Sequence, residues 1–207
     1  MTPAITRIHG GPDARGAARW DFSTCSNACG PCPSVRSAVQ AADATRYPDP
    51  SGAAVRAALA ELHGVTPQRV LLAASASEFI QRLTAVTQRL WPGAVSVPRQ
   101  AYGDYAVAAQ AWGRMLIAED LPGARATLRW QACPSSPLGQ DALLDPHARQ
   151  RPSVLDAVYA PLRLRGRSAW HAGACDQAFV LHSPNKALGL TGLRGAYAIA
   201  PREADYD

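Results

Sequence analysis

Apolar residues recur at intervals of three and four between Ser51 and His63, at Ala54, Val55, Ala58, Leu59 and Leu62, which predicts a helix ended by Gly64. The same period runs through Phe79, Ile80, Leu83, Val86, Thr87 and Leu90, and Tyr102 to Trp112 fits a further helix. Between and beyond these lie apolar runs of strand length: 70–73, 94–97 closed by Pro98, 114–118, 126–130, 153–155 ending at Asp156, 178–182 ending at Ser183, and 196–200. The first 33 residues carry no period and read as an extended arm, punctuated by Gly10-Gly11-Pro12 and Gly30-Pro31-Cys32-Pro33. Ser34 is then the expected cap of a short helix over 35–43. Strands alternating with helices at this spacing predict an α/β domain with a mostly parallel sheet.

Composition narrows the function classes. A chain of 207 residues can bury one good core. Its net charge of +5 comes from arginines scattered along the chain, whereas a nucleic-acid partner would draw them onto one face or helix. No long apolar segment follows Met1 and none has the length to span a bilayer, so the expectation is a soluble, cytoplasmic protein with no membrane partner. Cysteines stand at 25, 29, 32, 133 and 175, an odd count that argues against a disulfide framework. The spacing Cys25-x3-Cys29-x2-Cys32 raises a metal site, but no fourth ligand lies near in sequence. It reads instead as a turn with small buried thiols, and no metal is expected.

The chain holds a single lysine, Lys186, among its 21 basic residues. Arginine stays protonated and cannot form an imine, whereas lysine can lose its proton and act as a nucleophile. Ser75, Ser77, Asp156, Ser183 and Lys186 all fall just past the carboxyl ends of predicted strands, where open α/β sheets place their sites. Ser75 and Glu78, three apart, also fit a capping box.

Ordered motifs extend this picture. They are His9-Gly10-Gly11; Asp21-Phe22-Ser23 with Asn27 and Gly30-Pro31; Arg46-Tyr47-Pro48-Asp49; Val70–Ala73 into Ser75-Ala76-Ser77-Glu78; Pro134–Gly139; Leu155–Tyr159; and Ser183-Pro184-Asn185-Lys186 with Gly192-Leu193-Arg194-Gly195. In this order the chain resembles the fold-type I pyridoxal 5'-phosphate (PLP) enzymes of the aminotransferase class I/II family, near histidinol-phosphate aminotransferase and threonine-phosphate decarboxylase. The resemblance implies a three-layer large domain with a mostly parallel, mixed sheet over 34–207, incomplete, behind an arm at 1–33, with the C-terminal small domain absent.

It also implies roles. Lys186 matches the lysine that binds the cofactor covalently, and Asp156 the aspartate that pairs with the pyridine nitrogen. Tyr159 and Ser136 match residues facing the phenolic oxygen. Ser136 stands where the family usually has asparagine, so a shorter hydroxyl replaces an amide donor. Ser75, Ala76, Ser77, Ser183 and Arg194 match the phosphate-binding positions. Tyr105, with Tyr102 as the alternative, matches the aromatic that stacks on the ring. Tyr47 matches a residue reaching the neighbouring subunit's phosphate, which implies a homodimer. The arm at His9–Gly11 is expected near the substrate, and the stretch from Pro137 to Asp156 leaves little room for a crossover helix. The arm motifs favour decarboxylation of threonine O-3-phosphate to aminopropanol phosphate. The alternatives are an aminotransferase of the histidinol-phosphate type and a PLP-binding chain with impaired turnover. The substrate expected is a small amino acid or amine bearing a phosphate.

Overall fold

Alternation of small and branched apolar residues along short strands, with helices between them, produces one seven-stranded sheet in the computed structural model, which describes residues 10–121, 125–142, 151–166, 168 and 176–202. The strands are β1 (Val70–Ala73), β2 (Ala94–Val97), β3 (Leu116–Ala118), β4 (Ala126–Ala132), β5 (Ser153–Asp156), β6 (Phe179–His182) and β7 (Ala196–Ile199). Their spatial order is β1-β7-β6-β5-β4-β2-β3. Every pairing from β3 across to β6 is parallel, while β7 runs antiparallel to both β6 and β1. The sheet is therefore the expected mostly parallel, mixed one.

Four α-helices are described: α1 (Pro33–Gln40), α2 (Ala53–His63), α3 (Ala76–Leu90) and α4 (Gly103–Ala111). Side chains alternate across the strands. Leu71 and Ala73 of β1, Leu128 and Trp130 of β4, and Ala198 of β7 face α3 and α4, with Phe79, Ile80, Leu83, Tyr105 and Ala108 in the same core. Val70 and Leu72 of β1 and Ile199 of β7 face the other way, against Leu59 and Ala60 of α2. Helices on both faces give three layers. At one end of this core the buried guanidinium of Arg114 donates to the carbonyls of Gly93 and Thr84 and to the hydroxyls of Thr87 and Thr127, tying α3 to the edges of β2 and β4.

Two local expectations need correction. Ser34 does not cap α1: the helix begins at Pro33, with Cys32 at the cap position. Proline at the first helical position has its φ preset and no N–H to satisfy, so it starts the helix without a side-chain cap. Ala76 and Ser77 are not loop residues but the first turn of α3, because the Ser75 hydroxyl accepts from the Glu78 N–H at 3.1 Å and starts the helix there. Residues 143–150, the middle of the stretch between β4 and β5, lie outside the described residues. Among the described residues no helix is long and apolar enough to cross a membrane.

Candidate active site

Parallel strands deliver their last residues to one edge of the sheet, and the loops there enclose a cleft of about 680 Å³. Of the twelve residues expected around a cofactor when Tyr102 is included, eleven line it: Ser75, Ala76, Ser77, Tyr102, Tyr105, Ser136, Asp156, Tyr159, Ser183, Lys186 and Arg194. Tyr47 does not; its side chain is 100% exposed on the segment between α1 and α2. Gly10, Ser23 and Thr24 bring the arm to the cleft wall. His9 and Cys175 lie outside the described residues.

Asp156, the last residue of β5, is 8% exposed. One carboxylate oxygen accepts from the Tyr105 hydroxyl at 2.6 Å and the other from the Val158 N–H at 3.0 Å. Burial pushes this carboxyl above the usual carboxylate range; the Tyr105 bond, the Val158 bond and the charge of Lys186 each oppose that rise. Tyr105 is held high in turn, first by burial and then by the Asp156 charge. Lys186 is half-buried on the loop after β6, and its ammonium lies 2.7 Å from the Tyr159 hydroxyl and 4.4 Å from that ring's centre. An amine, a buried carboxylate and two phenols thus converge on one cleft.

The two candidate stacking residues separate. Tyr105 is 1% exposed and stacks on Trp130 of β4, ring centres 4.8 Å apart and planes 10° from parallel. Tyr102 stands edge-on to Tyr105, reaches the cleft surface, and its hydroxyl lies 3.2 Å from the Ser77 hydroxyl. Tyr105 is committed to the core and to Asp156, and Tyr102 offers the more accessible aromatic.

The start of α3 and the connection between β6 and β7 both line the cleft. The first N–H groups of a helix have no intrahelical acceptor, and Ala76 and Ser77 present them with small side chains. Arg194, exposed at the cleft, makes no ion pair among the described residues. Ser183 is buried, its hydroxyl donating to the Asn185 side-chain oxygen at 2.9 Å; the same oxygen accepts the Lys186 N–H. Asn185 therefore shapes the lysine loop, a role its motif position alone did not reveal.

A second unforeseen feature is the arm's grip on that loop. The Asn27 N–H donates to the Lys186 carbonyl at 2.9 Å, the Asn27 amide to the Ala187 carbonyl at 3.0 Å, and the Cys32 N–H to the Leu188 carbonyl at 2.8 Å. Gly189, at φ +65°, lies so near that an added Cβ would stand 2.4 Å from the Gly30 carbonyl oxygen. These are mostly backbone bonds between distant segments, which leave no residue pattern to read. The thiols expected to be buried in this arm are not: Cys25 and Cys29 are exposed and Cys32 is half-exposed, because the arm lies along the surface.

Fold and cleft together define an α/β large domain that places a lysine and a carboxylate beyond strand ends. No family model matches the chain. A histidinol-phosphate aminotransferase of Stenotrophomonas maltophilia is 30% identical over 187 residues, covering 78% of this chain and 51% of the relative. The crystal structure of histidinol-phosphate aminotransferase from Sinorhizobium meliloti in complex with pyridoxal-5'-phosphate superposes with a TM-score of 0.70 at 21% identity, over 85% of this chain and 55% of that one. L-threonine-O-3-phosphate decarboxylase from Porphyromonas gingivalis gives 0.64 at 18% identity, over 76% and 52%. The chain is thus similar in sequence and in fold to the fold-type I, aminotransferase-like PLP enzymes. It spans about half the length of the curated relatives that align along most of it.

Proposed function

We propose that this chain is the cofactor-binding portion of a PLP-dependent aminotransferase of the histidinol-phosphate type, acting on a small phosphorylated amine or amino acid. The observation that carries it is the meeting of the sole lysine, Lys186, with Tyr159 and buried Asp156 in one cleft. The donor set fits PLP, since an amine, a buried carboxylate, the start of a helix and an exposed guanidinium line one cleft. Lys186 would bond the cofactor's aldehyde carbon, Asp156 its ring nitrogen, and Tyr159 and Ser136 its phenolic oxygen. Ala76, Ser77, Ser183 and Arg194 would hold its phosphate, and Tyr102 would cover the ring. When bound, PLP supplies an electron sink for the carbon next to the substrate nitrogen.

In that arrangement the protein's own groups position and move protons. Asp156 would hold a proton on the ring nitrogen, with its Tyr105 bond keeping the carboxylate oriented. Lys186 would be the base that carries a proton to and from the reacting carbon. The arm motifs point to decarboxylation, but curated relatives that align along most of this chain are aminotransferases, so transamination is the better supported reading. Tyr47, fully exposed, is available to a second copy in the homodimer this reading includes.

Absorbance tests the proposal. Added PLP should give a band at about 420 nm that is absent from K186A, and a phosphorylated amine donor should convert it to a form absorbing at about 330 nm. No band would overturn the reading altogether. Carbon dioxide release with the band retained would favour the decarboxylase instead.

A further inference from the structure

Residues 29–32 read Cys-Gly-Pro-Cys, a Cys-x-x-Cys pair that leads directly into a helix and takes no part in the cofactor site. Such pairs at helix starts are the common dithiol unit of redox proteins. Both thiols are free, Cys29 exposed and Cys32 half-exposed at the cap position of α1. The Cys32 thiol lies 3.4 Å from the Ser34 hydroxyl, and that contact, followed by the Val35 N–H, lowers its pKa and favours the thiolate. The pair sits on the lysine loop. The Asn27 bonds to the Lys186 and Ala187 carbonyls precede it, the Cys32 N–H bond to the Leu188 carbonyl ends it, and the Gly30 carbonyl between the cysteines abuts Gly189.

We propose that Cys29 and Cys32 form a reversible dithiol site, closing to a disulfide that stiffens the arm's grip on the Lys186 loop. The oxidant class is a low-molecular-weight disulfide such as oxidised glutathione. The Cys32 thiolate attacks one of its sulfurs, breaking that S–S bond, releasing one thiol and leaving a mixed disulfide on Cys32. The Cys29 thiolate then attacks the Cys32 sulfur and expels the second thiol. Two protein thiols are oxidised, one small disulfide is reduced to two thiols, and the two cysteine protons end on those thiols. A closed ring over four residues removes torsional freedom from the segment that carries the loop's anchoring bonds. This goes beyond the catalytic reading and does not depend on it.

The full chain, reduced and then equilibrated with mixtures of oxidised and reduced glutathione, supplies the test. Cleavage after Arg19 and Arg36 yields one peptide holding Cys25, Cys29 and Cys32. On oxidation that peptide should lose about 2 Da and keep one alkylatable thiol, on Cys25, and reduced glutathione should restore it. In C29S and C32S that loss should vanish, leaving a glutathione adduct on the remaining member of the pair. Serine suits a helix cap, so C32S retains the start of α1. Amide exchange at Leu188, Gly189 and Leu190, whose N–H groups bond within the loop, should slow about threefold on oxidation of the native chain and stay unchanged in C29S. A disulfide involving Cys25, a glutathione adduct without ring closure in the native chain, or unchanged exchange at 188–190 would each overturn the proposal.

Discussion

In its proposed role Asp156 carries two conflicting demands. A carboxylate that holds a ring proton must be charged, yet it sits buried at a strand end, where charge is disfavoured. Its folded pKa is raised above the unfolded value, so the favourable contribution is present at low pH and lost as pH rises through the folded pKa. At neutral pH the ionised group therefore costs stability, and Asp156→Asn should relieve it. The cofactor-free variant should melt higher than the native chain at neutral pH, with the gain shrinking as pH falls. The same variant should bind PLP more weakly, because a neutral amide cannot hold the ring proton. Melting curves at several pH values, paired with a PLP titration, check both halves, and an asparagine variant that melts lower at pH 7 contradicts the electrostatic account.

Elements place these residues, and their contacts generate two further predictions. Helix α2 meets the sheet through His63, whose ring nitrogen lies 3.0 Å from the Tyr197 hydroxyl, and His182 stacks on the Tyr197 ring at 4.9 Å. Burial, and after it the charge of His63, hold His182 down to about 4. A depressed histidine contributes stability present above the unfolded value near 6.5 and lost as pH falls toward the folded one. Lowering pH from 7 to 5 should cost on the order of 1–2 kcal/mol, and His182→Gln should flatten that slope in denaturant titrations. The arm–loop contact is steric. Gly189→Ala sets a Cβ against the Gly30 carbonyl and strains a positive φ, so it should destabilise the chain by about 2 kcal/mol or more and weaken PLP binding. Unchanged melting would show that the arm yields freely.

Across the whole molecule, what the sequence disclosed divides by physical cause. All seven strands were legible because each is a short apolar run closed by a turn former, and Lys186, Asp156 and Ser183 were legible because strand ends of an α/β sheet converge. The antiparallel setting of β7 was not, since strand direction depends on the path of the connection rather than on the residues of Ala196–Ile199. The Tyr105–Asp156 bond joins residues 51 apart, and neither one's neighbours encode it. Tyr47 tests the largest scale, because nothing within one copy brings it to the cleft. Trp20 and Phe22 of the arm are also largely exposed, which is apolar surface that a second copy can cover. If a homodimer completes the phosphate corner, sedimentation should show concentration-dependent association, and apparent PLP affinity should rise with protein concentration along the same curve. Tyr47→Phe should then lower PLP affinity about tenfold, the loss of one hydrogen bond to a charged group, without changing the association curve. Phe22→Asp should shift the association curve itself and carry PLP affinity with it. Full PLP affinity at concentrations where only monomer sediments would separate the cofactor site from assembly and leave Tyr47 without a role in it.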